Sequence, residues 1–170
     1  MSNTVVELQM QDVKQFLSNT VNELSDYLNS HSLDILLDEN GSKKEDYYEK
    51  LLKSLRRLEV FCSDALDAVS IIVKSEPFRK SAAEQTLYRI YHKCILEFFS
   101  PKDDIWYEDS RAAYTGKNSI CFHETPPESF QRLLTSLEKE FQQVREELDY
   151  YETDYQTKMV MQNNEASSSK

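Results

Sequence analysis

The sequence is poor in the two residues that most often break helices and build turns: it has two glycines and four prolines in 170 residues. Average usage is about seven per cent glycine and about five per cent proline, and an all-β fold needs the many turns that these residues supply. The shortage therefore favours long helices. It also leaves no Walker loop, no Gly-x-Gly-x-x-Gly and no Gly-x-Ser-x-Gly elbow, so the phosphate cradles and nucleophile turns of those motifs are not predicted.

Long apolar runs and a basic start are missing as well. No stretch approaches the roughly 18 apolar residues of a membrane span, and residues 1–12 lack the basic and apolar regions of a secretory signal. The formal net charge of -10 disfavours binding to nucleic acid and to anionic membranes, because both depend on Lys and Arg. Three cysteines without Cys-x-x-Cys spacing fit a reducing compartment. We therefore predict a cytoplasmic protein.

The sequence is rich in apolar residues spaced three and four apart, the pattern of a helix with one buried face. Such runs predict four long helices, at about 5–29, at about 48–76, at about 78–99 and from Thr125 onward, with Thr125 as the N-cap of the last one. The second run keeps a heptad register over Tyr48, Leu51, Leu55, Leu58, Cys62, Ala65, Val69 and Ile72. The apolar face of the last helix comprises Phe130, Leu134, Leu137, Phe141, Val144, Leu148, Tyr151 and Tyr155.

Four amphipathic helices must bury their apolar faces against one another. We predict a mainly all-α fold, an antiparallel four-helix bundle with a short β-hairpin or irregular insert at about 101–126 between helices 3 and 4. Up-down-up-down order is preferred, although the long third connection permits a crossover. The hairpin signal is the β-favouring sequence 113–122 around Gly116. Residues 1–162 are predicted as a single domain, and the polar residues 163–170 as a disordered tail.

Histidine and cysteine raise the question of a metal site. None of the three histidines has a glutamate three residues before it, which excludes the Glu-x-x-His pairs of di-iron bundles. His92, Cys94, Cys121 and His123 are of zinc-binding types. Residues two apart on a helix diverge, whereas Cys121 and His123 could share one face of a strand. Because the same residues are also explained as buried cysteines and surface histidines, we predict no metal and no cofactor.

The segment between helices 3 and 4 combines the only tryptophan of the chain with tyrosines and basic residues. Aromatic side chains supply contact area and Arg supplies a directed charge, a mixture that can line a pocket or an interaction patch. The same side chains could instead anchor a long connection to the helices. As contacts to a ligand or partner we predict Trp106, Tyr107, Arg111, Tyr114, Lys117 and Asn118.

Charges of the two signs are segregated along the chain. Residues 138–154 contain seven acidic and two basic side chains. The middle helices carry Lys53, Arg56, Arg57, Arg79, Lys80, Arg89 and Lys93. Both groups fit solvated faces with inter-helix ion pairs, and the acidic face also fits recognition by a protein partner. We predict a non-enzymatic protein-interaction module, with a homodimer as one form. The alternative is a binder of a small, anionic ligand, or an enzyme, with its site at 106–118.

Five short motifs carry a resemblance to a known family: SEPFRK (75–80), YRIYH (88–92), FFSPK (98–102), WYEDSR (106–111) and AYTGKN (113–118). They resemble a family of small, uncharacterised helical proteins from spore-forming bacilli, and the resemblance covers most of the chain except its tail. It implies a bacterial cytoplasmic protein. Since the family has no assigned activity, it transfers no functional residue.

Overall fold

The structure of the protein is a computed structural model that describes residues 2–113 and 118–168. The first half contains helices α1 (Asn3–Ser30), α2 (Leu33–Asn40) and α3 (Glu45–Lys74). The next helical region, residues 80–99, comprises α4 (Lys80–Ile90), a π-helical segment (Tyr91–Ile95) and α5 (Leu96–Phe99). Strand β1 (Trp106–Glu108), the short helix α6 (Ser110–Ala113), strand β2 (Ile120–Phe122) and helix α7 (Glu128–Ser168) follow. The described residues are thus mostly helical, with a small antiparallel sheet, as predicted.

The first helices begin and end at residues whose side chains or backbone suit those positions. The Ser2 side chain caps α1 by accepting a hydrogen bond from the Val5 amide, and the Ser32 side chain caps α2 by accepting one from the Ile35 amide. Gly41 ends α2 with a φ of 89°, a left-handed value that glycine adopts without steric cost. The predicted end of the first helix at about residue 29 is confirmed, because α1 ends at Ser30.

The buried faces of the long helices are the ones that the apolar spacing predicted. On α3, six of the heptad positions are buried, namely Tyr48, Leu51, Leu55, Leu58, Cys62 and Val69. On α7, the buried positions are Phe130, Leu134, Leu137, Phe141, Val144, Leu148 and Tyr151. Each fully buried leucine or phenylalanine contributes about 1.5–3 kcal/mol relative to exposure, so these faces supply much of the stability. In the described ranges, no helix combines the length and the hydropathy that crossing a bilayer would require.

The helices contact one another in a closed arrangement. α1 packs mainly against α3, and α4 contacts α1, α3 and α7. Contacts between α1 and α7 complete the set. Phe16 of α1 and Phe98 of α5 both pack against Phe141 of α7, with ring centroids 4.9 Å and 4.0 Å away. The core therefore lies between all four long helical segments.

The start of α7 differs from its prediction. The helix begins at Glu128, so the prediction of Thr125 as its N-cap is wrong. Pro127 supplies the carbonyl that accepts the first amides of the helix, while the Thr125 carbonyl accepts Lys44 Nζ at 3.2 Å. At the other end the helix continues to Ser168 with residues 160–168 exposed. An exposed polar helix end has only its own backbone bonds to hold it, so the domain boundary at 162 stays a prediction.

The insert contains the predicted pair of strands, but with a different first strand. Trp106 pairs with Phe122 and Glu108 with Ile120, in an antiparallel register. The first strand is Trp106–Glu108 rather than a segment that begins at Ala113, which belongs to α6, and residues 114–117 around Gly116 lie outside the described residues. Burial of Trp106 fixes the start of the insert against the core.

Candidate functional site: a groove between α3 and α4

Trp106, predicted as a contact residue, is part of the core. Its ring is fully buried, and its Nε1 donates to the Phe98 carbonyl at 2.7 Å. The rings of Phe122 and Phe130 lie 6.5 Å and 5.7 Å from it, centroid to centroid. A ligand contact at Trp106 would therefore need the ring to leave the core.

The other predicted contact residues are exposed where the structure describes them. Tyr107 is 39% exposed and lies on β1, facing away from the buried Trp106. Arg111 is exposed on α6, and Asn118 is exposed ahead of β2. Tyr114 and Lys117 lie outside the described residues. Binding at this set of residues stays a prediction.

Two buried or partly buried charge contacts fasten the insert to α7. Arg145 donates to both carboxylate oxygens of Glu108 at 2.9 Å, and its guanidinium carbon lies 3.8 Å from the centroid of the Phe99 ring. Glu138, only 5% exposed, accepts the Ser119 amide at 2.6 Å as well as the Ser119 hydroxyl. Bidentate and charge-assisted bonds are the strong ones in proteins. Two side chains of the segment 138–154 therefore hold the insert rather than face solvent.

A shallow concavity of about 590 Å³ lies beside the insert, bordered by Tyr107, Cys121, His123 and Gln131. His123 Nε2 lies 3.4 Å from Asp104 Oδ2, with both side chains more than half exposed. An exposed contact of this kind contributes little binding or stability. The concavity is an open shelf rather than an enclosed site.

Within residues 2–113 and 118–168, no three His, Cys, Asp or Glu side chains come together as a metal site would require. The Cys94 thiol instead donates to the Phe61 carbonyl at 3.5 Å.

A more enclosed groove of about 230 Å³ lies between α3 and the α4–π segment. Its apolar surface comes from Phe61, Ala65 and Ala68 on α3 and from Ile90 and Cys94 on the opposite side. The spacing of four and three residues places the α3 members on one helix face. Cys94 lies within the π-helical segment, and such segments are frequent at functional sites. Small alanines on α3 leave room for another backbone to approach.

Cationic side chains border this groove. Arg89 and Lys93, one helical turn apart, are both exposed at its edge. In the part of the chain that the structure describes, neither has a carboxylate within ion-pair distance. Arg57 lies over the Phe61 ring at 4.7 Å, but Glu97 pairs with it at 3.0 Å. The groove edge is thus locally basic in a chain with a net charge of -10.

Apolar side chains are also exposed on α3 beside the groove, with the exposed acids Asp64 and Asp67 between them. Val60 is 55% exposed and Ile71 is 68% exposed. The two residues are eleven positions apart, about three helical turns, so they lie on nearly the same face. Val60 precedes Phe61 directly, and Ile71 lies about one turn after Ala68. We refer to Val60, Phe61, Ala65, Ala68 and Ile71 as the α3 strip.

Two contacts fix the π-helical segment behind the groove. Its Cys94 packs on α3 beside Cys62, and both thiols are fully buried. A hydrogen bond to Cys94, followed by burial, raises the pKa of the Cys62 thiol well above its usual value. On the side toward α7, burial and then the neighbouring Glu152 carboxylate raise the pKa of Tyr91 to about 12. His92 Nε2 lies 3.5 Å from Glu152 Oε1 without hydrogen-bond geometry.

Arg57, Arg89 and Lys93 were predicted as part of a charged face of the middle helices and not as one site. Their spacing along the chain gives no sign that Arg57 and Lys93 flank the same Phe61 ring. No residue type in the sequence indicates the π-helical segment either.

Comparisons with known proteins agree with the resemblance seen in the motifs. Residues 10–157 match the model of a family described as "Protein of unknown function (DUF3907)". The "Uncharacterized protein YpuI" of Bacillus subtilis (strain 168) is 43% identical over 152 residues, which is 89% of this chain and 84% of that protein. No solved structure matches the chain. The resemblance to an uncharacterised family of bacilli is thus confirmed, and the chain belongs to the DUF3907 family of proteins of unknown function.

Proposed function

We propose that the protein is a non-enzymatic interaction module whose α3 strip and groove bind an apolar segment of a partner protein. The observation that carries the proposal is the apolar groove, beside which Val60 and Ile71 of α3 are exposed. Isolated exposed apolar residues are ordinary, whereas exposed apolar residues beside an apolar groove are typical of interaction sites.

The scaffold for this surface, in our proposal, is an antiparallel four-helix bundle of α1, α3, the α4–α5 region and α7. The ring of contacts α1–α3, α3–α4, α4–α7 and α7–α1 supports that arrangement. The connection of residues 75–79 between α3 and α4 is short, which suits antiparallel neighbours. The free thiols of Cys62 and Cys94 support a cytoplasmic location, since reducing compartments keep thiols unpaired.

Selection from a random peptide library against the immobilised full chain tests the interaction proposal. Selected peptides are then titrated against the variant Val60→Asp/Ile71→Asp and against Val5→Asp/Leu8→Asp, a matched control with two exposed apolar residues on α1. We expect the α3 variant to bind at least about tenfold more weakly, a loss of about 1.4 kcal/mol, while the α1 variant binds normally. Circular dichroism melts confirm that both variants fold. Peptides that bind the α3 variant as tightly as the native chain would contradict the proposal.

A second candidate function is binding of a small ligand on the shelf beside the insert. The position of Tyr107 at the edge of the 590 Å³ concavity supports it. A thermal-shift screen of small organic anions tests it: stabilisation that disappears in Tyr107→Ala/Arg111→Ala would support this function, and stabilisation unchanged in that variant would exclude the insert as the site.

A further inference from the structure

The shape of the groove fits an elongated occupant better than a compact one. Its volume of about 230 Å³ is smaller than the pockets of about 300–1,000 Å³ that enclose small ligands. Exposed apolar side chains nevertheless extend along α3 from Val60 to Ile71, about 16 Å at 1.5 Å per residue, with Asp64 and Asp67 between them. Two packed helices form a valley into which the ridge of a third helix fits, and Ala65 and Ala68 allow its backbone to come close.

The charges at the groove edge determine which sign of charge on a bound segment is favoured. Arg89 and Lys93 are separated by one turn, so carboxylates four residues apart on a facing helix can reach both. Asp64 borders the groove on the α3 side, and the exposed Asp67 lies about one turn further along α3, so both repel a carboxylate placed on that side. An occupant with acidic residues along one edge only therefore matches the surface, because its acidic edge lies along α4 and its neutral edge along α3.

The strength of this selection is moderate. The rest of the chain is strongly acidic, with a net charge of -10, so an acidic partner is repelled at long range and attracted only at the groove. Two exposed ion pairs change affinity by about two- to thirtyfold in total. Apolar anchors on Phe61 and Ala65 supply the remaining binding.

We infer that the partner segment is an amphipathic helix with an acidic edge, which lies in the groove with apolar anchors on the α3 strip and carboxylates beside Arg89 and Lys93. This inference rests on the proposed interaction function and names the chemistry of the partner. A basic or neutral apolar helix, and a second copy of this chain, are distinguished from it by the experiment below.

The experiment uses two fluorescein-labelled helical peptides of about 18 residues, five turns long. Both carry leucines at positions i, i+4, i+7 and i+11, and they differ only in having Glu or Gln along one edge. Fluorescence anisotropy gives their affinity for the full chain, for Arg89→Gln/Lys93→Gln, and for Arg132→Gln/Lys139→Gln. The last variant is the matched control, because it also removes one arginine and one lysine charge, but from the exposed face of α7.

We expect the Glu peptide to bind the native chain about tenfold more tightly than the Gln peptide. That preference should disappear in Arg89→Gln/Lys93→Gln, persist in the α7 variant, and shrink at about 1 M salt, where charges are screened within about 3 Å. Sedimentation of the chain alone identifies self-association: a dimer that Arg89→Gln/Lys93→Gln dissolves would make a second copy the occupant and overturn the inference.

The remaining outcomes separate the inference from the function on which it rests. Equal binding of both peptides, lost in Val60→Asp/Ile71→Asp, would overturn the acidic edge and leave the interaction function standing. A Glu preference that survives Arg89→Gln/Lys93→Gln would move the acidic contact elsewhere and overturn the inference. If neither peptide binds while library peptides bind through the α3 strip, the helical form of the partner is wrong. Failure of both experiments removes the interaction function itself.

Discussion

Replacing Arg145 by alanine measures how strongly the insert is held on α7. The side chains of Arg145 and Glu108 are 25% and 19% exposed and share two bonds of 2.9 Å. Breaking a buried pair costs about 3–5 kcal/mol, and partial exposure lowers that figure, whereas loss of the contact with the Phe99 ring adds about 0.5–1 kcal/mol. We expect the free energy of unfolding to fall by about 2–4 kcal/mol, measured by urea denaturation followed by circular dichroism.

The matched control is Arg132→Ala on the same helix. Arg132 pairs with Glu128, but their side chains are 73% and 88% exposed, so the loss should stay below about 0.5 kcal/mol. A double-mutant cycle of Arg145→Ala with Glu108→Gln isolates the coupling, for which we expect at least about 1 kcal/mol. If Arg145→Ala is no more destabilising than Arg132→Ala, the insert is not held by this pair and the reasoning fails.

Three further predictions concern individual side chains of the core and of the sheet. Trp106→Phe removes the donor to the buried Phe98 carbonyl and should cost about 1–3 kcal/mol in urea denaturation; a change below about 0.5 kcal/mol would show that this bond is dispensable. The pKa of Tyr91 is raised from 10.0 to about 12, so its contribution to stability is complete below pH 10 and is lost between pH 10 and about 12. In that pH range the melting temperature of Tyr91→Phe should fall less steeply than that of the native chain, and equal slopes would contradict the raised pKa. Cys121 should react with a thiol reagent in the folded protein while the two buried thiols react only after unfolding; equal rates for all three would contradict their burial.

The helices were predictable because burial acts on spacing that the sequence displays. The apolar residues of α3 and α7 recur at a regular spacing that places them on one face of each helix, and that face is the buried one. The start of α7 was less predictable: Thr125 is a suitable cap, but Pro126 and Pro127 hold the chain extended until Glu128. Capping preferences are weaker than the backbone restriction that proline imposes.

The insert and the groove were harder to predict because each depends on residues far apart in the chain. Ser119 is fixed by Glu138 and Glu108 by Arg145, and neither acid nor base differs by type from its solvent-exposed neighbours. The residue type of Trp106 indicated either a ligand contact or an anchor, and only packing against α5 and α7 separates the two. The groove likewise arises from two helix faces that meet, which no local pattern encodes.

The insert contacts and the groove use different residues of the helix region 80–99: Phe98 and Phe99 contact Trp106 and Arg145, whereas Ile90, Lys93 and Cys94 line the groove. The π-helical segment between them is held toward α3 by Cys94 and toward α7 by Tyr91, so the groove wall is fixed by the core before any partner binds. A preformed surface loses little entropy on binding. Arg145→Ala should therefore lower the free energy of unfolding yet leave the affinity for the acidic peptide within about twofold, because distant sites act additively. A tenfold loss of affinity in that folded variant would mean that the insert, through the 80–99 helix, controls the shape of the groove.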